Sequence, residues 1–220
     1  MKRFFDILLS GFAILCLFPL LIPVMIILKL TGEHYIFYIQ ERVGKWGKNF
    51  GLLKFATMLK NSPNMGTGCI TMKSDPRVLP FGAFLRKTKI NELPQLFNIL
   101  LGDMSIIGPR PVTATHFSYY SQEMQEGIAK LTPGLSGIGS VVFRDEESII
   151  ARSGMDYTEF YKTKIAPYKG ALELWYLEHQ NIWVDLKIIF LTVWAVMFPQ
   201  SDLPYKIFKD LPEKPEWLMK

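Results

Sequence analysis

Cysteine is nearly absent from this chain of 220 residues: Cys16 and Cys69 are the only two, and no CxxC pair occurs. That excludes a disulfide framework and a thiolate zinc site, and it fits a reducing, cytosolic compartment. Charge is also sparse. Charged residues make up 20%, against 49% hydrophobic and 14% aromatic, and the mean hydropathy is +0.16. The chain has no low-complexity block and no internal repeat. Its length suits one ordinary domain with a short membrane element and is short for two full domains. What charge there is leans basic, with a net +5 and a pI near 9.1. A basic, aromatic-rich, apolar chain calls for an anionic partner, such as a phospholipid surface or a phosphate-bearing substrate. With no zinc-ligand spacing or basic low-complexity tract, nucleic acid is not expected.

The largest concentration of apolar residues is Ile7 to Leu28, which contains no charged side chain and is flanked by Lys2, Arg3 and Lys29. Roughly 20 apolar residues cross a bilayer core, so the length suffices. Three readings compete: a cleaved signal peptide, a single-pass anchor, and a re-entrant helix that leaves on the side it entered. The long run and the lack of a small-residue cleavage site oppose the first. Pro19 and Pro23 each remove a helical hydrogen bond in mid-run. The basic residues at both ends give no inside–outside asymmetry, as expected if both ends are cytoplasmic.

Past Leu30 no second spanning run occurs. Residues 35–58 hold short apolar pieces split by VGKWGKN and read as a small β-hairpin. NSPNMGTGC, over 61–69, reads as a loop. From Phe84 the pattern is helical, with Leu93, Leu96, Phe97 and Leu100 at helical spacing. Residues 114–130 read as one helix and 166–179 as another. The apolar stretch Ile182 to Met197 is too short after Lys187 to cross a bilayer. It is either an interfacial helix, with Trp183, Trp194 and Phe198 at headgroup level, or a buried one. The fold class expected is mainly α with a small β-hairpin.

The densest polar constellation lies between Ser74 and Pro111, where Arg77, Arg86, Lys87, Lys89 and Arg110 crowd against Asn91, Glu92 and Asp103. Arg110 sits between Pro109 and Pro111, whose fixed φ angles restrict the chain; a guanidinium so placed suits a phosphate, although a rigid turn with a solvated arginine reads the same. Asn91 and Glu92 have two readings as well. Asn is a good helix N-cap, and Glu favours a first turn. The same position also suits a carboxylate working on phosphate.

Several pieces together carry a resemblance: QERVG (Gln40–Gly44), LLKFATM (Leu52–Met58), FLRKTKINELPQLFNIL, LGDMSIIGPRP and LTPGLSG (Leu131–Gly137), running from KRFFD at Lys2 to DLKII at Asp185. The chain resembles the bacterial sugar transferases, small monotopic phosphoglycosyl transferases. The resemblance implies a monotopic protein with a re-entrant membrane helix over 1–30, broken at Pro19, and a cytosolic catalytic domain over 31–220 carried by interfacial amphipathic helices. It implies residence on the cytosolic face of the bacterial inner membrane. The implied reaction moves a sugar-1-phosphate from a nucleotide sugar, usually a UDP-sugar, to polyprenyl phosphate with Mg²⁺, starting capsule, exopolysaccharide or glycan assembly. A homodimer and downstream glycosyltransferases are the further partners it allows.

By the same resemblance, Arg86 and Arg110 bind substrate phosphate, and Glu92 is the second member of a catalytic Asp–Glu pair. Glu92, Asp185 and Glu173 are the candidate metal ligands, with Ser105 and Lys54 as helpers. The departures are specific. Asn91 stands where the family's nucleophilic Asp is expected, Glu173 where an Asp is usual, Ala56 where a basic residue is usual, and Phe18 where a serine precedes the proline. An amide cannot attack as a carboxylate does. Three accounts of Asn91 stay open: Glu92 is the nucleophile, transfer is direct, or the chain is an inactive membrane scaffold.

Overall fold

The computed structural model describes residues 1–65 and 75–219. The latter part of the loop expected over 61–69, with Cys69, lies outside the described residues. The described chain is mainly helical and divides into two compact units. The anchor unit comprises Phe4–Glu41 and Gly51–Leu101. The helical unit comprises Met1–Arg3, Arg42–Phe50 and Gly102–Lys220. The apolar helix belongs almost wholly to the anchor unit, which also includes the first polar motifs.

In the anchor unit, helix α1 (Lys2–Leu30) runs unbroken through Pro19 and Pro23. It is the one helix among the described residues long and apolar enough to cross a membrane, by length and composition. Only a thin stripe of it is covered. Leu21, Val24 and Leu28, at helical spacing, pack with Phe55 and Leu85 as the unit's core. Strands β1 (Phe37–Val43) and β2 (Asn49–Phe55) pair as the expected hairpin. Helix α2 (Pro80–Lys87) lies so close to the exit of β2 that a side chain at Gly82 would overlap the Thr57 backbone. The helix expected from Phe84 onward is not continuous. It breaks after α2 at Lys89, whose φ of 61° is left-handed, passes through a tight turn Ile90–Glu92, and resumes as α3 (Gln95–Leu101). A long side chain in that conformation is uncommon and marks a turn the surroundings must enforce. Asn98, a buried residue of α3, ties that helix to β2: it donates to Gly51 O at 2.8 Å and accepts from Leu53 N at 2.9 Å.

The helical unit holds the larger core, in which Leu172, Ile188 and Leu191 are fully buried. Its only sheet among the described residues is a parallel pair, β3 (Ser105–Ile107) with β4 (Gly134–Ser136), in register Ser105↔Gly134 and Ile107↔Ser136. The single helix expected over 114–130 is two, α4 (Ala114–Phe117) and α5 (Gln122–Ala129). Each has its own side-chain cap, Thr113 accepting from His116 N and Ser121 from Met124 N, which satisfies an amide that a continuing helix would have bonded. After β4 come α6 (Ile138–Val142), α7 (Glu146–Ser153) and α8 (Tyr157–Phe160), then a wide turn into α9 (Ala166–His179), with the expected bounds. Helix α10 (Ile182–Met197) fits both readings of its sequence: Asp185, Ile188, Leu191 and Ala195 form a buried stripe, while Trp183, Phe190, Val193 and Phe198 are exposed. A short α11 (Leu203–Ile207) follows.

Candidate active site

The anchor unit carries Arg86, Asn91 and Glu92 within one turn-helix junction. Arg86 occupies the last turn of α2, half-buried, with Nη1 at 3.5 Å from Thr57 Oγ1. Three residues later the left-handed Lys89 reverses the chain and presents Asn91 and Glu92 in sequence. Asn91 is not an N-cap: α3 begins at Gln95, and Asn91 Oδ1 is buried without a hydrogen-bond partner. The capping explanation of that residue is therefore removed. Glu92 is half-buried. Lys54, on β2, donates to Gln40 Oε1 at 3.3 Å.

The helical unit explains why LGDMSIIGPRP and LTPGLSG both exist. They are the two halves of the parallel pair. Ser105 N donates to Pro133 O, Gly108 N to Ser136 O and Gly134 N to Pro109 O, at 2.8, 2.9 and 2.8 Å. Side chains at Gly108, Gly134 or Gly137 would overlap the facing backbone, so the glycines permit an approach no other residue allows. The pairing fixes Pro109, and Arg110 follows it, half-buried between two buried prolines. Ser105 is buried on β3.

Asp185 and Glu173 are both turned inward. Asp185, in the first turn of α10, accepts from Tyr176 OH at 2.6 Å through Oδ1 and from Lys2 Nζ at 2.5 Å through Oδ2. Both oxygens are thus used in holding the chain's N-terminal lysine to α9 and α10. Glu173 is buried against Gly139, with Oε2 unpartnered. Burial pushes its carboxyl up to about 7, opposed by the Lys169 ammonium and the Gly139 N–H. Lys169, one turn before it on α9, is buried as well and pairs with Glu146 at 2.7 Å. Burial disfavours its charge, but Glu146 and the tyrosines 161 and 120 outweigh that, so its pKa is raised.

A hard cation such as Mg²⁺ takes oxygen ligands and is commonly held by one or two carboxylates together with substrate phosphates. Among the described residues no three His, Cys, Asp or Glu side chains form a metal group. The half-buried carboxylate of Glu92 fits that sparse requirement. Asp185 accepts one hydrogen bond at each oxygen, from Tyr176 and Lys2, and Glu173 is buried near Lys169. Sequence reasoning missed Gln95, Asn98, Lys169 and Glu146. It read Lys2 only as a topology signal. Amides and ion pairs of this kind leave no periodic trace.

An exposed apolar helix, half-buried arginines next to rigid turns and a carboxylate beside a left-handed turn are features that suit a membrane surface and a phosphate-bearing ligand. The chain matches the bacterial sugar transferase family over residues 1–199 and belongs to it. It is 32% identical over 209 residues to the exopolysaccharide production protein ExoY of Sinorhizobium fredii, covering 89% of this chain and 84% of that protein. It is 33% identical over 198 residues to the UDP-N-acetylgalactosamine-undecaprenyl-phosphate N-acetylgalactosaminephosphotransferase of Aeromonas hydrophila, covering 89% of this chain but 43% of that one. With the undecaprenyl-phosphate glucose phosphotransferase of Komagataeibacter xylinus the identity is 32% over 212 residues, covering 91% and 36%. An uncharacterized sugar transferase of Haemophilus influenzae is matched over 41% of its length, so the chain spans less than half of several relatives.

Proposed function

We propose that the chain is a phosphoglycosyl transferase that moves a sugar-1-phosphate from a UDP-sugar to polyprenyl phosphate on the cytosolic face of the bacterial inner membrane. The observation that carries this is the strained junction at Lys89, which sets Glu92 just past the Arg86 helix. The names of the relatives, which specify undecaprenyl phosphate and sugar phosphotransfer, support the substrate classes. The product would begin capsule, exopolysaccharide or glycan assembly, passing to downstream glycosyltransferases. A homodimer is compatible with this role.

Phosphoryl transfer depends on charge neutralisation and in-line placement. Arg86 and, in the helical unit, Arg110 are each assigned a substrate phosphate, where a guanidinium binds bidentately. In a covalent route a Glu92 oxygen attacks the β-phosphorus, the bond to the α–β bridging oxygen breaks, and UMP leaves with that electron pair. An oxygen of polyprenyl phosphate then attacks the same phosphorus and frees the carboxylate. In a direct route polyprenyl phosphate makes the only displacement, and Glu92 assists as base or metal ligand. Asn91 attacks in neither. Mg²⁺, held by Glu92 and the substrate phosphates, would supply charge neutralisation on the diphosphate.

For α1 we propose the re-entrant course, with both ends cytosolic. An unbroken 29-residue helix is about 43 Å long if straight, more than the roughly 30 Å hydrocarbon core, and the two prolines offer a bend. Cysteine probes near Lys2 and Lys45 should both be labelled only from the cytosolic side; one on each side contradicts it. The second reading, an inactive scaffold, draws on Asn91. The deciding experiment supplies UDP-sugars, Mg²⁺ and undecaprenyl phosphate and measures UMP. Repeated release that requires the lipid supports the transferase, and no release with any donor supports the scaffold.

A further inference from the structure

Two amide side chains close to Glu92 in the sequence each have one buried atom without a partner. Asn91 is 7% exposed and Gln95 is 2% exposed, and neither Asn91 Oδ1 nor Gln95 Nε2 has a hydrogen-bond partner. Leaving such a group unsatisfied costs roughly 1–3 kcal/mol, and buried orphans are rare enough that each asks for a reason. The next amide along the chain shows what a structural one does here. Asn98, 4% exposed, is satisfied in both directions by the backbone of β2. Asn91 Oδ1 and Gln95 Nε2 have no such backbone partner.

The two orphans differ in kind, since Oδ1 only accepts and an amide nitrogen only donates. A phosphate oxygen can satisfy the donor, but an ionised phosphate has no hydrogen for the acceptor. A hydroxyl satisfies both, because it donates and accepts. A nucleotide hexose carries hydroxyl groups on both sugars, and those of the hexose are the ones attached through the β-phosphate, the phosphate assigned above to Glu92. Asn91 adjoins Glu92 directly, and Gln95 opens α3 just beyond Pro94.

We infer that Asn91 and Gln95 read the hexose of the donor, Asn91 Oδ1 accepting from and Gln95 Nε2 donating to its hydroxyl groups. The inference rests on the reading of Glu92 as the site of phosphoglycosyl transfer. It gives the amide at position 91 a use that needs no attack on phosphorus. It also makes Gln95 a specificity-determining residue.

The test is equilibrium binding to the full chain in membranes, which does not require turnover. UDP-glucose, UDP-galactose and UDP-N-acetylgalactosamine are ranked first, and then the singly deoxygenated forms of the tightest binder. A site built around a hydroxyl strongly rejects the analogue that lacks it, so the wild type should bind at least one deoxy form about tenfold or more weakly. Gln95→Met, which keeps the length without the amide, should bind parent and that deoxy form within about twofold of each other. UMP, which has no hexose, should bind both proteins equally and reports that the variant is folded. The inference is overturned if the wild type does not distinguish any deoxy form, whatever the variant does. It is overturned equally if Gln95→Met keeps the full discrimination. Parallel turnover separates the two claims. Discrimination lost through Gln95 while Glu92→Gln still transfers sugar phosphate would keep hexose reading and remove the role given to Glu92.

Discussion

Among the described residues, the helical unit gathers twenty apolar side chains into one buried cluster; the anchor unit gathers five, although it owns the longest apolar helix. Most of α1 stays uncovered, with Leu15 75% exposed and Phe12 and Phe18 also open. One unit uses its apolar residues as a soluble protein does. The other holds a surplus that its own chain does not bury, and a contiguous apolar surface of that size marks a membrane or partner contact. Apolar content therefore says little about where a core forms. Helix α10 makes the point within one element, burying Ile188 and Leu191 and exposing Phe190 and Val193.

The contrast can be broken by mutation. Leu172→Ala or Leu191→Ala in the helical core should each destabilise the protein by about 2–5 kcal/mol, read as a lowered thermal midpoint in detergent. A cost close to zero would mean that this unit is not the packed core described. Next come the arginines, one in each unit. Arg86→Ala and Arg110→Ala should each lose well over tenfold in turnover while staying folded and membrane-bound, as removal of a charged phosphate donor implies. Near-normal rates in both would sink the phosphate assignment.

Glu173 sharpens the comparison through pH. Its folded pKa, about 7, lies above the ordinary 4.5, so the folded chain holds the proton longer than the unfolded one. Stability from this group is therefore lost as pH rises from about 4.5 through about 7. Glu173→Gln, which mimics the protonated acid, should match the wild type near pH 4.5 and exceed it at pH 8 by on the order of 1–3 kcal/mol. A wild type that is the more stable at pH 8 would show the carboxylate to be paired rather than merely buried. The smallest effect should fall on α1. Leu15→Ala should change detergent-state stability by under about 0.5 kcal/mol, as for a surface site, and a core-sized loss there would erase the distinction between the units.

Much of this was legible in the sequence because it is local. The hairpin follows from its turn residues, α9 and α10 from apolar periodicity, and the family from motifs in order. What stayed hidden is non-local or polar. Strands β3 and β4 are three residues each, too short for an alternation signal, and pair across a gap that no periodicity crosses. The breaks at Lys89 and between Phe117 and Gln122 are enforced by packing and caps against intact helical spacing. The candidate residues were legible as types. Their partners were not: nothing in the spacing tells that Asp185 is taken by Lys2 and Tyr176, or that Asn91 Oδ1 is left unbonded.

The central claim is that Glu92 is the working carboxylate of a sugar-phosphate transferase whose Asn91 does not attack. Lipid-dependent UMP release is the most direct measure of it, compared among wild type, Glu92→Gln and Asn91→Asp. The amide at 92 keeps the shape but loses the charge needed for attack, base catalysis or cation binding, so release should fall by at least about a hundredfold. Asn91→Asp should retain or raise the wild-type rate. Wild-type turnover that survives Glu92→Gln would contradict the account, whichever route the phosphorus takes.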